Sequence, residues 1–250
     1  MEKPSFDIRY IFPNFFTALS AFLGVISIIA SIRGDFEKAA WLIFISLILD
    51  GIDGRVARLT NATSKFGVEF DSLADLVAFG VAPAILLYQT MGSSFGKYGS
   101  MVAALFVVFG AIRLARFNVM SPANEPSVFI GVPIPSAAVF VAGWTMLYLK
   151  YHLVYAKFFI LTGALFVAFL MVSNIRYPSF KKIDLHKNQV IKVLVMMIVL
   201  LALLYLFPAE VVTFGITIYI LAGVIRAGYY LFTKKIRYNN GKKLSGEKGE

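Results

Sequence analysis

Four aspartates stand in two closely spaced pairs in the first third of the chain, Asp50 with Asp53 and Asp71 with Asp75. Residues three or four positions apart share one face of an α-helix, so each pair would present both carboxylates in one direction. Carboxylate oxygens bind hard divalent cations, which favours Mg²⁺, Mn²⁺ or Ca²⁺ over zinc or copper. Four aspartates suffice to hold two such ions through shared carboxylates. That arrangement stabilises the attacking and leaving oxygens in phosphoryl transfer.

The acidic cluster also has a purely structural alternative, a network of ion pairs with Arg55 and Arg58. The acids outnumber these two bases, which favours bound cations. Gly54 and Gly67 lie among the acids, although glycine inside a helix costs about 1 kcal/mol relative to alanine. Glycine permits the close approach of a ligand or of another helix. Gly54 and the small Ala57 would leave a slot for a flat group such as a nucleobase, and close helix packing is the alternative explanation.

The overall composition is that of a membrane protein. Apolar residues make up 59% of the 250 residues and charged residues 15%, whereas soluble proteins carry about 45–50% and about 25%. The absence of cysteine excludes disulfides, thiolate metal sites and a cysteine nucleophile. Only two histidines are present, His152 and His186, so a metal site built on histidines is not expected.

Eight apolar stretches approach the length of about 20 residues that a helix needs to cross a bilayer. They are Phe15–Ile32, Phe36–Arg55, Gly67–Thr90, Ser100–Val119, Pro135–Tyr151, Ala156–Ile175, Val190–Phe207 and Ala209–Phe232. The sequence therefore predicts an all-α integral membrane protein with about eight transmembrane helices. A membrane domain over residues 15–232 would lie between an interfacial segment, 1–14, and a basic tail, 233–250. The connection Leu59–Phe66 is short, so the second and third helices would pack antiparallel and bring the two aspartate pairs together.

The basic residues predict the orientation in the membrane. Eight spans place both termini on one side, and all but five of the 24 lysines and arginines then fall on that side. The five exceptions are Arg33, Lys38, Lys97, Lys150 and Lys157. The positive-inside rule makes the side of the termini, and of the acidic cluster, the cytosolic one. This distribution explains the net charge of +10 without nucleic acid as a partner, and it would attract anionic membrane lipids.

Residues 50–75 fit the pattern D-x-x-D-G-x-x-A-R-x₈-G-x-x-x-D-x-x-x-D at every fixed position. This segment resembles the signature of the CDP-alcohol phosphotransferases. The resemblance implies a six-helix catalytic core, a homodimer, and an active site at the cytosolic face of the bacterial inner membrane. Members of that family transfer a phosphoalcohol from a CDP-linked donor to an alcohol and release CMP, with Mg²⁺ or Mn²⁺ as cofactor.

The same resemblance implies a role for each matching residue. Asp50, Asp53, Asp71 and Asp75 would hold two divalent ions, and Asp75 would also be the general base that deprotonates the acceptor hydroxyl. The residues that would bind the nucleotide and phosphates of the donor are Asn14, Thr17, Gly54, Ala57, Arg58 and Gly67. Asn14 and Thr17 belong to an element, Pro13–Thr17, that resembles the P-N-x-x-T motif of the family. Its alternative explanation is a helix cap.

Three further stretches, Ala111–Asn118, Phe129–Ala138 and Arg176–Phe180, resemble the phosphatidylserine synthase branch of bacteria. That branch implies CDP-diacylglycerol as donor and L-serine as acceptor. The candidates for binding the acceptor are Arg113, Arg116, Asn118 and Arg176. A guanidinium group suits the carboxylate of serine. The alternative is that the arginines extend to lipid headgroups and that Tyr177 lies at the membrane interface.

Two rival functions remain open from the sequence. The same fold could use glycerol 3-phosphate, a dianion that would demand a denser basic pocket, or another alcohol. A divalent-cation transporter would need acidic residues that recur across several spans toward both faces, whereas here the acids gather toward one face. The last two predicted helices contain no motif that assigns them a role.

Overall fold

A computed structural model of the chain describes residues 11–59, 64–120, 128–178 and 190–246. Its helices are α1 (Ile11–Arg33), α2 (Phe36–Leu59), α3 (Lys65–Asp75), α4 (Ala82–Thr90), α5 (Lys97–Met120), α6 (Ile134–Tyr151), α7 (Lys157–Val172), α8 (Val190–Leu206) and α9 (Pro208–Gly246). One π-helical turn, Leu76–Val81, joins α3 to α4, and two short strands, β1 (Val128–Ile130) and β2 (Arg176–Pro178), pair with each other. The predicted all-α class is confirmed, since each of the eight apolar stretches falls on helix.

Among the described residues, four helical segments are both long and apolar enough to cross a membrane. They are Asn14–Arg33, Lys65–Thr90, Lys97–Val119 and Pro208–Tyr230. Lys157–Val172 and Ile191–Leu206 are shorter apolar helices, and α2 has 24 residues but carries the aspartate pair. The chain is therefore a membrane protein, and the crossing of the bilayer by its other helices stays a prediction. Helix α9 continues to Gly246, so the predicted start of the tail at residue 233 lies inside a helix.

Small polar side chains hold α1 against α2. The Ser20 hydroxyl donates to the Ser46 carbonyl oxygen at 3.3 Å, and the Ser46 hydroxyl donates to the Ser20 carbonyl oxygen at 3.1 Å. Ser27 makes a similar bond to the carbonyl of Ala39 at 2.8 Å. Such small residues allow helix backbones to approach closely and satisfy polar groups inside the membrane. These contacts fix the α2 aspartates relative to α1.

Helix α1 also packs closely on the π-helical turn that follows Asp75. A Cβ atom built on Gly24 would lie 2.7 Å from the Ala78 Cα atom, which is closer than side chains tolerate. Ala78 and Phe79 in the turn are fully buried. Because α1 contacts α2 on one side and α3 with this turn on the other, it brings the two aspartate pairs to the same end of the bundle. Single π-helical turns occur often beside functional sites.

The short sheet joins two stretches that are distant in the sequence. Strands β1 and β2 run antiparallel, and Phe129 faces Tyr177 in their register. At Gly131 the chain turns toward α6 with a φ of +77°, and a side chain there would collide with the Met171 carbonyl oxygen. The Gly131 amide donates to the Ile175 carbonyl at 2.8 Å. The resembling stretch Phe129–Ala138 is therefore a neighbour in space of Arg176–Pro178, the described part of the stretch Arg176–Phe180.

Candidate active site

Helices α2 and α3 bring the four aspartates together. One carboxylate oxygen from each of Asp50, Asp53 and Asp71 lies within 4.8 Å of the others. Asp75 is not part of this group of three carboxylates, but its carboxyl group lies near that of Asp50. Asp53 is buried, with 5% of its surface exposed. The cluster thus combines one helical turn of α2 with one helical turn of α3, in the arrangement that the i,i+3 and i,i+4 spacings predict.

The donor set of this cluster fits a hard divalent cation. Three carboxylates at this separation repel one another unless a cation lies between them. The proposed neutralisation by Arg55 is not found in the described part of the chain, where Arg55 is exposed and forms no ion pair. Oxygen ligands on two rigid helices are suited to Mg²⁺ or Mn²⁺. The side chains of Ala57 and Arg58 lie outside the described residues.

Thr17 of α1 lies directly against the cluster. Its hydroxyl donates to Oδ2 of Asp53 at 2.7 Å, and only 4% of the residue is exposed. The Pro13–Thr17 element lies inside α1, which already begins at Ile11, so the helix-cap alternative is wrong, and its threonine orients one of the aspartates. The motif predicts Thr17 at the nucleotide and gives no sign of its contact with Asp53. Contact with the nucleotide stays a prediction for this residue.

The N-terminus of α3 explains Gly67. The Ser64 hydroxyl caps the helix by accepting a hydrogen bond from the Gly67 amide at 2.9 Å. A Cβ atom on Gly67 would lie 3.1 Å from Ser64 Oγ and 3.2 Å from Asn14 Oδ1. Gly67 therefore allows α1 to approach the start of α3, next to two predicted donor-binding residues. The cap itself was missed, although serine before a helix is a recognisable signal.

The space beside Gly54 is open. A Cβ atom built on Gly51 or on Gly54 would meet no atom of the described residues within 4 Å. Among the described residues, no other helix packs closely against Gly54, so close helix packing does not explain this glycine. Because Gly54 follows Asp53 on α2, the open space adjoins the acidic cluster. The open space could receive a nucleobase, and the nucleobase slot stays a prediction.

Arg113 of α5 lies inside the site. It is 9% exposed, and its guanidinium group interacts electrostatically with Asp75. Its Nε atom has no hydrogen-bond partner within the described parts of the chain. A buried arginine does not reach lipid headgroups, so the snorkelling alternative is wrong for Arg113. This side chain places a positive charge beside the proposed base.

Arg116 and Arg176 make their contacts with residues other than the four aspartates. Arg116 donates to the Val172 carbonyl oxygen at 3.3 Å and to Asn174 Oδ1 at 2.6 Å. It therefore ties α5 to the end of α7. Arg176 is exposed on β2, where it pairs in register with Ile130. Acceptor binding by these two arginines stays a prediction.

Asn118 links α5 to the outer face of α3. Its Nδ2 atom donates to Ser72 Oγ at 3.0 Å and to Glu69 Oε2 at 3.2 Å. Ser72 immediately follows Asp71, so this pair of bonds helps to hold α3 in place. The geometry gives Asn118 a supporting position at the edge of the site, and direct contact with the acceptor stays a prediction.

Two tyrosines that pack against each other, Tyr177 and Tyr219, are not marked as site residues by the sequence. Tyr177 is fully buried, which corrects its interpretation as an interfacial residue. Burial raises the pKa of its hydroxyl to about 12, so the group stays protonated. Tyr219 of α9 interacts electrostatically with Arg113. No sequence signal marks Tyr219, because it belongs to no motif and α9 has no assigned role.

Comparison with known proteins identifies the family. Residues 10–172 match the family model described as CDP-alcohol phosphatidyltransferase. A CDP-diacylglycerol–serine O-phosphatidyltransferase of Helicobacter pylori is 48% identical over 239 residues, which cover 93% of this chain and 97% of the relative. The enzyme of that name from Methanocaldococcus jannaschii is 36% identical over 65% of this chain and 74% of its own. An archaetidylserine synthase of Methanothermobacter thermautotrophicus is 38% identical over 66% of this chain and 69% of the relative. The chain belongs to the CDP-alcohol phosphatidyltransferase family.

Proposed function

We propose that this chain transfers the phosphatidyl group of CDP-diacylglycerol to the hydroxyl of L-serine, forming phosphatidylserine and CMP. The similarity to relatives named for that reaction, over nearly the full length of one of them, supports the donor and the acceptor. The family depends on metal ions, and the acidic cluster provides a suitable site. The choice of serine rests on one observation in the structure, the buried Arg113 beside Asp75.

Arg113 and Asp75 match the two functional groups of serine that matter for the reaction. The guanidinium group would bind the serine carboxylate through paired hydrogen bonds. The Asp75 carboxylate, which interacts with Arg113, would face the serine hydroxyl. An acceptor held at both points is positioned for reaction, and positioning alone can supply a large part of the rate enhancement.

The residues of the site divide the chemistry among them. Asp75 takes the proton of the serine hydroxyl while that oxygen forms a bond to the phosphorus that bears the diacylglycerol. The bond from this phosphorus to the oxygen of CMP breaks, and CMP leaves with the bonding electrons. Thr17 holds the Asp53 carboxylate in place during the step. Two ions of Mg²⁺ or Mn²⁺, held by Asp50, Asp53, Asp71 and Asp75, would supply charge neutralisation at the phosphates.

The donor would bind on the α1–α2 side of the cluster. The open space beside Gly54 would receive the cytidine, with Ala57 nearby in the sequence. Asn14 and Gly67 lie close to each other at the start of α3, and both would contribute to nucleotide binding. Arg58 would face the phosphates. The two acyl chains would stay in the lipid, so that the donor enters from the membrane.

The rival functions fit the described residues less well. Glycerol 3-phosphate is a dianion, whereas Arg113 is the one buried arginine among the residues that the structure describes. A cation transporter would need a second acidic site farther along the bundle. The described segments contain one group of metal-binding side chains, at one end. At the opposite end, Glu210 is paired with Lys150.

Release of CMP from CDP-diacylglycerol tests the function directly. The purified protein in detergent is supplied with Mn²⁺ and with serine, glycerol 3-phosphate or inositol in parallel. We expect CMP release that depends on serine and stops when the metal is chelated. Preferential release with glycerol 3-phosphate, or rescue by Zn²⁺ alone, would contradict the proposal.

We also propose that the protein resides in the inner membrane as a homodimer, with both termini and the active site on the cytosolic side. The few basic residues of the opposite side lie at the other ends of the helices, for example Arg33 and Lys150. Because the chain has no cysteine, single cysteines report on topology cleanly. We expect K65C to react with an impermeant thiol reagent from the cytosolic side and Y155C from the opposite side. Chemical crosslinking in membranes tests the dimer.

A further inference from the structure

A cavity opens at the end of the helix bundle opposite the aspartates. Its volume is about 1150 Å³, larger than the roughly 300–1,000 Å³ of most small-molecule pockets. The turn between α1 and α2, the end of α6 and the start of α9 border it. Lys38 in its wall precedes Asp50 by twelve positions on α2, a distance of about 18 Å along the helix. The cavity is therefore separate from the acidic cluster.

The wall that α6 and α9 form is held together by polar and close contacts. Glu210 Oε1 accepts hydrogen bonds from the Lys150 ammonium group and, at 2.6 Å, from the Tyr151 hydroxyl. One helical turn farther on, Thr213 is fully buried against Gly143, where a side chain on the glycine would collide with it. These contacts start α9 beside the end of α6 and make it return along α6. The cavity thus has a fixed wall on this side.

The charged side chains that line the cavity carry both signs. They are Asp35, Glu37, Glu210, Lys38 and Lys150. Lys150 and Glu210 neutralise each other. Asp35, Glu37 and Lys38 are exposed, and none of them forms an ion pair with another described residue. A ligand that neutralises these three side chains must therefore bring a group of each sign.

The wall also contains an acceptor without a donor. The second carboxylate oxygen of Glu210, Oε2, is buried and has no hydrogen-bond partner within the described ranges. A buried acceptor that lacks a donor costs about 1–3 kcal/mol. An N–H donor on the ligand would remove this cost, which favours an ammonium group as the positive part.

The remaining wall is apolar and suits the glycerol and the first acyl carbons of a lipid. Trp41, Met146 and Leu149 provide this surface, and Trp41 is 42% exposed. Tryptophan beside lysine is typical of the boundary between bilayer and water, where the lysine stem lies in the apolar layer and its ammonium group reaches the headgroups. An apolar wall next to charges of both signs matches the two parts of a phospholipid.

We propose that this cavity binds a phospholipid whose zwitterionic headgroup carries a primary ammonium group, from the leaflet opposite the aspartates. Lys38 binds the phosphate, and the ammonium group donates to the carboxylates of Asp35, Glu37 and Glu210. A headgroup without an ammonium group leaves these carboxylates unpaired, and a quaternary ammonium has no N–H to donate. The lipid joins α2, α6 and α9 at the end of the bundle away from the proposed chemistry. This binding is independent of which alcohol is the acceptor.

Native mass spectrometry of the purified protein in detergent tests the site with dioleoyl phosphatidylethanolamine, phosphatidylcholine and phosphatidylglycerol. We expect the first to bind about tenfold more tightly than the other two, the effect of hydrogen bonds to charged groups. K38Q should weaken its binding about tenfold, because the partner of the phosphate is lost. K97Q is the matched control, since Lys97 is an exposed lysine at the start of α5 and does not line the cavity.

D35N provides a second measurement in case K38Q loses stability. Asp35 directly precedes α2, and asparagine caps a helix as well as aspartate does, so the fold is kept while the charge is lost. The affinity for phosphatidylethanolamine should fall in D35N and that for phosphatidylglycerol should not. Equal affinities of the wild type for the three lipids would overturn the proposal. An equal loss in K97Q and K38Q would overturn it as well, because the lysine of the cavity would then have no specific role.

Discussion

The hydrogen bond from Thr17 to Asp53 gives a quantitative prediction about metal binding. T17V removes the hydroxyl that lies 2.7 Å from Asp53 Oδ2, and with 4% exposure the site has little access for a replacing water. A hydrogen bond to a charged group contributes about 1.5–3 kcal/mol. Loss of a partner that orients a metal ligand weakens metal binding by about 10–100-fold. The two magnitudes agree, and we expect the Kd for Mn²⁺ to rise by that factor.

The assay is a Mn²⁺ titration of the purified protein in detergent, with free Mn²⁺ measured by electron paramagnetic resonance. The Mn²⁺ concentration for half-maximal CMP release should rise by the same factor, and excess Mn²⁺ should restore the rate. T17S keeps the hydroxyl and should behave as the wild type. T90V makes the same replacement at another buried threonine, whose hydroxyl donates to Leu86 within its own helix at 2.7 Å.

Two results would refute this reasoning. One is a T17V protein that binds Mn²⁺ as tightly as the wild type, because Asp53 would then need no orienting bond. The other is a T90V protein that loses as much affinity as T17V. In that case the lower affinity would come from a general loosening of the helix bundle. It would not come from the loss of a specific contact at the cluster.

Three further predictions concern the proposed roles around the cluster. D75N should lower CMP release by about 10²–10⁴-fold while CDP-diacylglycerol still binds, because the base is lost but Asp50, Asp53 and Asp71 remain to hold metal. R113K should raise the KM for serine about tenfold and leave that for CDP-diacylglycerol unchanged, since lysine lacks the paired donors that suit a carboxylate. G54L should fill the open space beside Asp53 and raise the KM for CDP-diacylglycerol. Its melting temperature should not fall, because leucine is favoured over glycine in a helix by about 1 kcal/mol.

Each of these predictions has an outcome that contradicts it. Wild-type turnover by D75N would remove the assignment of the general base. Equal losses for both substrates in R113K would argue against an acceptor pocket at this arginine. An unchanged KM for CDP-diacylglycerol in G54L would mean that the nucleotide binds elsewhere, and G51L, at the other glycine of α2, which also has open space, then shows whether the slot lies one turn away.

The elements that the sequence predicted well depend on local periodicity. The apolar stretches became helices because their length and composition leave few alternatives in a bilayer. The spacing of Asp50 with Asp53 and of Asp71 with Asp75 is a property of each helix alone. Bringing the pairs together required only that α2 and α3 be adjacent, which their short connection made predictable.

The features that escaped prediction depend on contacts between distant residues. Strands β1 and β2 have three residues each and pair across nearly fifty positions, so neither shows a periodic pattern. The π-helical turn after Asp75 packs Ala78 against Gly24 of α1, a contact between distant residues. Tyr219 packs against Tyr177 of β2 only because α9 returns along α6. A lone tyrosine in an apolar stretch contains no information about such a neighbour.

Direct measurement of metal stoichiometry tests the central claim, that the aspartates of α2 and α3 form a divalent-cation site. Equilibrium binding of Mn²⁺ to the purified protein, without substrate, is compared between the wild type and the double variant D50N/D71N. We expect two tightly bound ions per wild-type chain, and none in the double variant. The control E37Q, at an exposed acid in the first turn of α2, should retain both ions. A wild-type chain that binds no more Mn²⁺ than D50N/D71N would show that these aspartates do not form a cation site.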